Sequence, residues 1–422
     1  MKALSAMITD DDDAEGKSIK YVLEKSLAKF AKLKKKKFKA SDFGSQLDSL
    51  TKLLVVLYAK NRAPKSDRIV FTQEQRDTYL DYIQIASSSY ISTEDKFKDS
   101  LKDFRTFKEL TVHYYQKSSK CADGEFQLAF NVLKHGEDDG KTTWILTIRG
   151  TAQITDVAAD LIADSVALPN AKGKKTKLKA HKGALISAKA LLKKVMLVLD
   201  DDVKEGDKLI IMGHSLGGGV SAVLKYLFSL ETKPIYKDAK CFVFAPAATL
   251  SGHPELHKDI TCFVRQDDLV PRLSLGNMEH IFELYDNNCS NSGWMSKAMS
   301  FGKTLVNEMT EDKPMPLDNL RLPGETVYHL WTRKTYGDDG VYNRENGEFK
   351  TLVFSTSCIK DHFLNGFTKS ILQFDERGDE DRKTGKWGAI GNTVSSMIDD
   401  QGKKNNAKQI KAKGEKEESK KK

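Results

Sequence analysis

One short segment constrains this chain more than any other. Leu209-Ile210-Ile211-Met212 is an apolar run of strand length, Gly213-His214-Ser215-Leu216-Gly217 follows without a spacer, and Gly217-Gly218-Gly219-Val220-Ser221-Ala222 continues as a helix of small residues. A strand that runs straight into a helix needs a sharp turn, and glycines on either side let the backbone pass close to its neighbours. The surrounding texture agrees. Thr143 to Ile148, Lys208 to Met212, Cys241 to Ala245 and Thr261 to Val264 read as strands, with a helix at about 217–230 between the second and third. Strands alternating with helices predict an α/β chain, with a mostly parallel central sheet and helices on both faces.

The turn would hold the Ser215 hydroxyl at the sheet's edge and aim the Leu216 N–H at the place where an oxyanion forms. A G-x-S-x-G pattern in this setting points to an α/β-hydrolase fold with Ser215 as nucleophile. Serine alone is a weak nucleophile and needs a base and an orienting acid. In this fold they follow in the order serine, acid, histidine. Asp267-Asp268 follows the strand at 260–265 and offers two candidate acids. Leu352-Val353-Phe354 reads as a late strand, with Asp361-His362 shortly after it. Among the nine histidines, His113, His135 and His181 precede Ser215, His214 lies inside the turn, and His253 and His257 precede the acid. Order favours His362, with His280 and His329 as rivals.

The chain has 422 residues, enough for one large core plus an accessory segment. Its net charge of +9 is concentrated at the end, where residues 402–422 hold nine lysines and three glutamates. The nearly neutral body argues against a nucleic-acid partner. No run approaches the ~18–20 apolar residues of a membrane-spanning helix. Met1 to Asp13 turns acidic at once and lacks the apolar stretch of a secretory signal, so a cytoplasmic location is expected. Five cysteines, Cys121, Cys241, Cys262, Cys289 and Cys358, include no CxxC pair, which argues against a disulfide framework or a zinc site.

Residues 18–33 read as an amphipathic helix, with Ile19, Val22, Leu23, Leu27 and Phe30 on one face and the run Lys34-Lys35-Lys36-Lys37 behind it. Such a basic helix can lie on an anionic membrane. Residues 41–110 look mainly helical, with a break at Pro64 and a stripe of Tyr79, Tyr82, Ile83, Ala86 and Tyr90 that reads as core. Residues 286–320 read as an insertion. The expected plan is a helical N-terminal region at 1–106, a catalytic domain at 107–375, and a polar, Lys-rich, disordered tail at 376–422.

Several blocks together resemble the class 3 lipase family, and within it the sn-1-specific diacylglycerol lipases. They are Ile148-Arg149-Gly150-Thr151 with Asp156, Asp160 and Leu161; His181-Lys182-Gly183; Gly213 to Gly218; Asp268-Leu269-Val270-Pro271-Arg272; and Asp361-His362. Leu322-Pro323-Gly324 looks like a further landmark, and the resemblance covers roughly residues 107–370. It implies Ser215 as nucleophile, Asp268 rather than Asp267 as acid, and His362 as base. It also implies an oxyanion hole from the N–H groups of Thr151 and Leu216, with Asp160 orienting the Thr151 side chain. In the family the segment after the RGT block forms or borders a lid, here Ala152 to Pro169.

The activity so implied is hydrolysis of acylglycerol esters through an acyl-enzyme, with no metal or organic cofactor. The basic helix and tail add an expectation of peripheral contact with anionic membrane or lipid droplets. A phospholipase A1 is the alternative within enzymes, since Lys172, Lys174, Lys175, Lys177 and Lys179 form a basic loop able to meet phosphate head groups. A catalytically silent lipase-like binding protein is the alternative outside them.

Overall fold

The computed structural model describes residues 66, 68–117, 119–120, 126–151, 161–279, 316–332, 339–350, 352, 355 and 357–374. The expected basic helix, the Lys-rich tail, most of the 286–320 insertion, Asp160, His280, Cys121 and Cys289 lie outside these residues, as does the first part of the expected lid.

The described chain opens with β1 (Arg68–Ile69), α1 (Gln73–Ser88), α2 (Glu94–Ser100), β2 (Thr111–Gln116), β3 (Ser119–Lys120), β4 (Phe126–Gln127), β5 (Phe130–Gly136) and β6 (Thr142–Ile148). It continues through β7 (Ser165–Pro169), β8 (Lys175–His181), α3 (Lys182–Leu199), β9 (Lys208–His214), α4 (Leu216–Ser229), α5 (Pro234–Lys237) and β10 (Lys240–Phe244). It closes with β11 (Leu250–Ser251), β12 (Ile260–Arg265), β13 (Leu320–Arg321), β14 (Thr326–Trp331), β15 (Gly340–Arg344) and α6 (Leu364–Gln373).

The central sheet has the order β1-β15-β14-β12-β10-β9-β6-β5-β2. Its middle, β6-β9-β10-β12-β14, is parallel throughout. Its flanks, β14-β15-β1 on one side and β6-β5-β2 on the other, are antiparallel. The sheet is therefore mixed, with the expected parallel arrangement confined to the middle that carries the site. A smaller sheet, β13-β11-β8-β7, is antiparallel.

Side chains alternate across the pleat and feed two cores. Trp144, Leu146, Ile148, Ile211, Val243 and Val264 face the cluster that α3 and α4 complete. Ile145, Met212, Phe244, Phe263 and Leu330 face the other cluster, with Tyr79, Tyr82, Ile83 and Ala86 of α1 and Phe367 and Ile371 of α6. Full burial of each such side chain stabilises by ~1.5–3 kcal/mol.

Two features tie residues 68–106, expected in a separate N-terminal region, into this core. β1 pairs with β15 at the sheet edge, and the Tyr79 ring meets Phe263 edge-on at 4.9 Å. α1 begins at a reciprocal cap, where Thr72 Oγ1 accepts from the Gln75 N–H and Gln75 Oε1 accepts from the Thr72 N–H. The Asp81 carboxylate accepts the N–H groups of Arg105, Thr106 and Phe107, fastening the loop after α2 to α1.

Two local expectations change. Leu352 belongs to no strand, while Val353 and Phe354 lie outside the described residues. Among the described residues the last strand before His362 is β15. The basic loop is a hairpin: Asn170 Oδ1 accepts from the N–H groups of Lys172 and Lys174 in its turn, and Lys175, Lys177 and Lys179 lie on β8. The helix behind His181 runs on to Leu199, and His181 Nδ1 caps it by accepting the Ala184 N–H. Cys241, Cys262 and Cys358 are buried free thiols.

Candidate active site

Ser215 ends β9 and caps α4, with φ 60° and ψ −132°. That is left-handed backbone for a residue with a side chain, and strain of this kind amounts to ~1–3 kcal/mol. Neighbours hold it in place. The Ser215 N–H donates to the Phe244 carbonyl at 3.0 Å, and the Ser215 carbonyl accepts from Gly219 and Ala247, each at 3.1 Å. Two glycines permit this packing. A β-carbon on Gly217 would lie 2.4 Å from the Ile148 oxygen, and one on Gly150 would lie 2.5 Å from the His214 oxygen. The β6 end and the turn after β9 thus touch backbone to backbone, bringing Thr151 to the neighbourhood of Ser215.

Asp268 follows β12, and its Oδ1 accepts the Val270 N–H at 3.0 Å. His362 lies in a single helical turn, Lys360–His362, just before α6. Its Nδ1 is 3.1 Å from both Asp268 oxygens. That leaves Nε2 as the nitrogen available to a reacting group. Ser215, Asp268 and His362 are 1%, 0% and 3% exposed. The Ser215 Oγ is buried and has no hydrogen-bond partner among the described residues. Bonds between nucleophile and base are often long before substrate arrives.

The structure separates the rivals. The Asp267 N–H donates to Asp361 Oδ2 at 3.3 Å, and it is Asp268 whose carboxylate meets His362. His329 has Nε2 on the Gln266 carbonyl at 2.8 Å and Nδ1 on Arg344 at 3.2 Å. Asp361, the residue before His362, anchors the base's loop. It accepts from Arg265 Nη1 at 2.9 Å and from Ser357 Oγ at 2.8 Å, and Arg265 reaches Ser370 on α6.

Two side chains escaped the sequence reading. His214 was set aside because it cannot serve Ser215, and Tyr90 was read as core. His214 Nδ1 is 2.7 Å from the Tyr90 hydroxyl, and its Nε2 is 2.9 Å from the His362 carbonyl. The two imidazole rings lie 4.6 Å apart. Burial first, and then the neighbouring His362, hold His214 well below the ordinary imidazole range. Burial pushes the Tyr90 phenol up, so it stays protonated. Tyr90 is the last residue of the stripe but lies just past the C-cap of α1, beyond the helix itself.

Leu216 is the first residue of α4, and the N–H groups of a helix's first turn lack partners within the helix. Asp160 lies outside the described residues. Among the described residues no group of three or more His, Cys, Asp or Glu side chains is placed to hold a metal ion.

A strained serine at a strand–helix turn beside a buried histidine–carboxylate pair is the arrangement expected of a serine hydrolase. Comparison with known proteins adds the family. Residues 145–278 match the family model described as lipase (class 3).

These residues are similar to the class 3 lipases.

The chain is 34% identical over 173 residues to diacylglycerol lipase-alpha from Rattus norvegicus and from Homo sapiens, a stretch covering 38% of this chain and 16% of each relative. It is 28% identical over 166 residues to diacylglycerol lipase-beta from Mus musculus, covering 38% of this chain and 24% of that protein. The chain thus matches well under two thirds of these relatives' length. Among solved structures, a triacylglycerol lipase is 15% identical with a TM-score of 0.45, covering 70% of this chain and 96% of its own.

Proposed function

We propose that this chain is a serine-dependent lipase that hydrolyses acylglycerol ester bonds and releases free fatty acid. The observation that carries the reading is His362, bonded through Nδ1 to both Asp268 oxygens, beside the strained turn at Ser215. His362 Nε2 takes the Ser215 proton as Oγ attacks the acyl carbonyl carbon. Asp268 holds the imidazole in that tautomer and stabilises its charged form. The N–H groups of Thr151 and Leu216 receive the oxyanion, each worth ~3 kcal/mol by the usual cost of removing such a donor. The C–O bond to the alcohol breaks, and His362 gives the leaving alcohol its proton. Water, deprotonated by the same nitrogen, then cleaves the acyl-enzyme and restores Ser215. Asp160 is assigned the support of Thr151 on family resemblance alone. Diacylglycerol is the preferred substrate of this reading because the relatives so named share the domain.

A second reading, phospholipid hydrolysis at the same serine, is favoured by Lys172, Lys174, Lys175 and Lys177, which are all exposed on the β7–β8 hairpin. No helix among the described residues is long and apolar enough to cross a membrane. A cytoplasmic enzyme that meets its substrate at a membrane or lipid-droplet surface is the matching proposal.

The test incubates wild type and Ser215→Ala with diacylglycerol, triacylglycerol, monoacylglycerol and phosphatidylcholine, and measures free fatty acid. Release by wild type alone is expected, with diacylglycerol or triacylglycerol ahead. Preference for phosphatidylcholine would favour the phospholipase reading. No release, together with no labelling by a fluorophosphonate probe, would favour a catalytically silent binding protein.

A further inference from the structure

The lipase reading leaves a chain of polar groups beneath the site unused. It begins where the Tyr90 hydroxyl packs against Gly150, close enough that a β-carbon there would lie 2.6 Å from it. It passes from that hydroxyl to His214 Nδ1 at 2.7 Å, and from His214 Nε2 to the His362 carbonyl at 2.9 Å. We propose that Tyr90 and His214 are positioning residues, which lock the backbone of the base His362 to the turn bearing Ser215 and to the loop bearing Thr151.

The direction of each bond follows from the groups themselves. A carbonyl only accepts, so His214 Nε2 carries the ring proton. A neutral imidazole has one N–H, so Nδ1 accepts and the Tyr90 O–H donates to it. Both donors then point one way along the chain, and each bond polarises the next.

The sites of attachment matter as much as the bonds. Gly150 precedes Thr151, His214 precedes Ser215, and the final acceptor belongs to His362 itself. One connected chain therefore indexes oxyanion loop, nucleophile and base against each other. It starts from Tyr90, which the sequence plan placed outside the catalytic domain. The ring of Tyr90 is held in turn, with the Arg149 guanidinium 5.9 Å from its centre and His214 edge-on at 5.6 Å. A misplacement of ~1 Å at a reacting group lowers turnover by ~100-fold, which sets the scale of what the chain can contribute. His214 must also remain neutral, because its ring lies 4.6 Å from the ring that becomes cationic during turnover. Its burial ensures this.

The inference rests on the serine-hydrolase reading, and the experiment separates the two. Wild type, Tyr90→Phe, His214→Leu and His214→Gln are titrated with a fluorophosphonate probe, and kcat and KM for a soluble p-nitrophenyl ester are expressed per titrated site. Unfolding then removes sites without altering the rate per site. Expected is a kcat lower by ~10-fold for Tyr90→Phe and ~100-fold for His214→Leu, with KM within about two-fold. His214→Gln, whose amide N–H can still donate to the His362 carbonyl, should recover ~10-fold over His214→Leu. Variants with wild-type kcat per site, or Gln no better than Leu, would overturn the positioning role while leaving the serine mechanism intact. A wild type that neither labels at Ser215 nor turns over ester would overturn both.

Discussion

Two buried histidines sit on either side of the loop after β12, and their surroundings divide them. His329, on β14, lies between the Gln266 carbonyl and the Arg344 guanidinium. Burial first, then Arg344 and Arg272, hold it well below the ordinary imidazole range. Its ring also meets Trp331 and Phe349 edge-on. His362 lies instead against the Asp268 carboxylate, with Nδ1 3.1 Å from both of its oxygens. Both are equally buried, at 1% and 3% exposure. The difference teaches that burial does not make a base. A carbonyl and a cation make a neutral structural pin, whereas a carboxylate on one nitrogen readies the other to take a proton.

The sharpest break of that comparison is to remove each ring. His362→Ala should lower ester turnover by ~10⁴-fold or more, with a melting temperature close to wild type. His329→Ala should do the reverse, keeping kcat per titrated site within a few-fold while lowering the melting temperature, because it strips two buried polar partners. Activity measured with active-site titration and a thermal melt reads both.

The paired aspartates come next. Asp268→Asn should cost ~10⁴-fold in kcat, since an amide can present its N–H and hold the wrong tautomer. Asp267→Asn, tested in the same assay, should lose less than ~10-fold, because the carboxylate that meets the base is that of Asp268. Equal losses would remove the distinction drawn between them.

Asp361→Asn sharpens the comparison from the side of the loop. It leaves Arg265, paired at 2.9 Å and largely buried, without its charge partner. Breaking one side of a buried pair destabilises by ~3–5 kcal/mol, read as a lower urea midpoint. Turnover per titrated site should fall much less than in His362→Ala.

The smallest effect concerns a third buried histidine. His257 donates from Nε2 to the Ser251 carbonyl at 3.0 Å and accepts the Gly324 N–H on Nδ1 at 3.1 Å. Burial lowers its pKa from 6.5 to about 4. Between those values the unfolded chain binds the proton and the folded chain does not. Stability is therefore fully present above pH 6.5 and is lost as pH falls toward 4, by about 3 kcal/mol at 1.36 kcal/mol per unit. His329 and His214 act in the same direction. His257→Gln keeps a donor and an acceptor and should flatten the acid side of a urea-midpoint profile by about one proton. An unchanged profile would remove His257 from the account.

Much of the site was legible before any coordinate. The apolar run into Gly213-His214-Ser215-Leu216-Gly217 has one local solution, a strand that turns sharply into a helix, and β9 and α4 meet there. The order of Ser215, the aspartates and His362 follows from where loops leave a parallel sheet. The Asp268 reading, and with it Thr151 and Asp160, came from resemblance to a family rather than from the residues' own pattern. Tyr90 was illegible because a tyrosine at the end of a helical stripe looks like core until a partner 124 positions away is placed beside its hydroxyl. The packing of α1 was illegible for a similar reason. Helical spacing marks a buried face but does not say which sheet it meets, and β1 pairs with a strand far along the chain.

The sequence by itself determined what is local: the period of the apolar residues, the glycines that allow Ile148, Gly150, His214 and Gly217 to touch, and the chemical types available for attack, acid and base. Only the tertiary structure decided which of several equivalent groups does what. Two adjacent aspartates and several buried histidines have the same intrinsic chemistry. They differ because folding sets a carboxylate against one ring, a guanidinium against another and a carbonyl against a third, and those contacts join residues too distant in the chain for any local rule to pair.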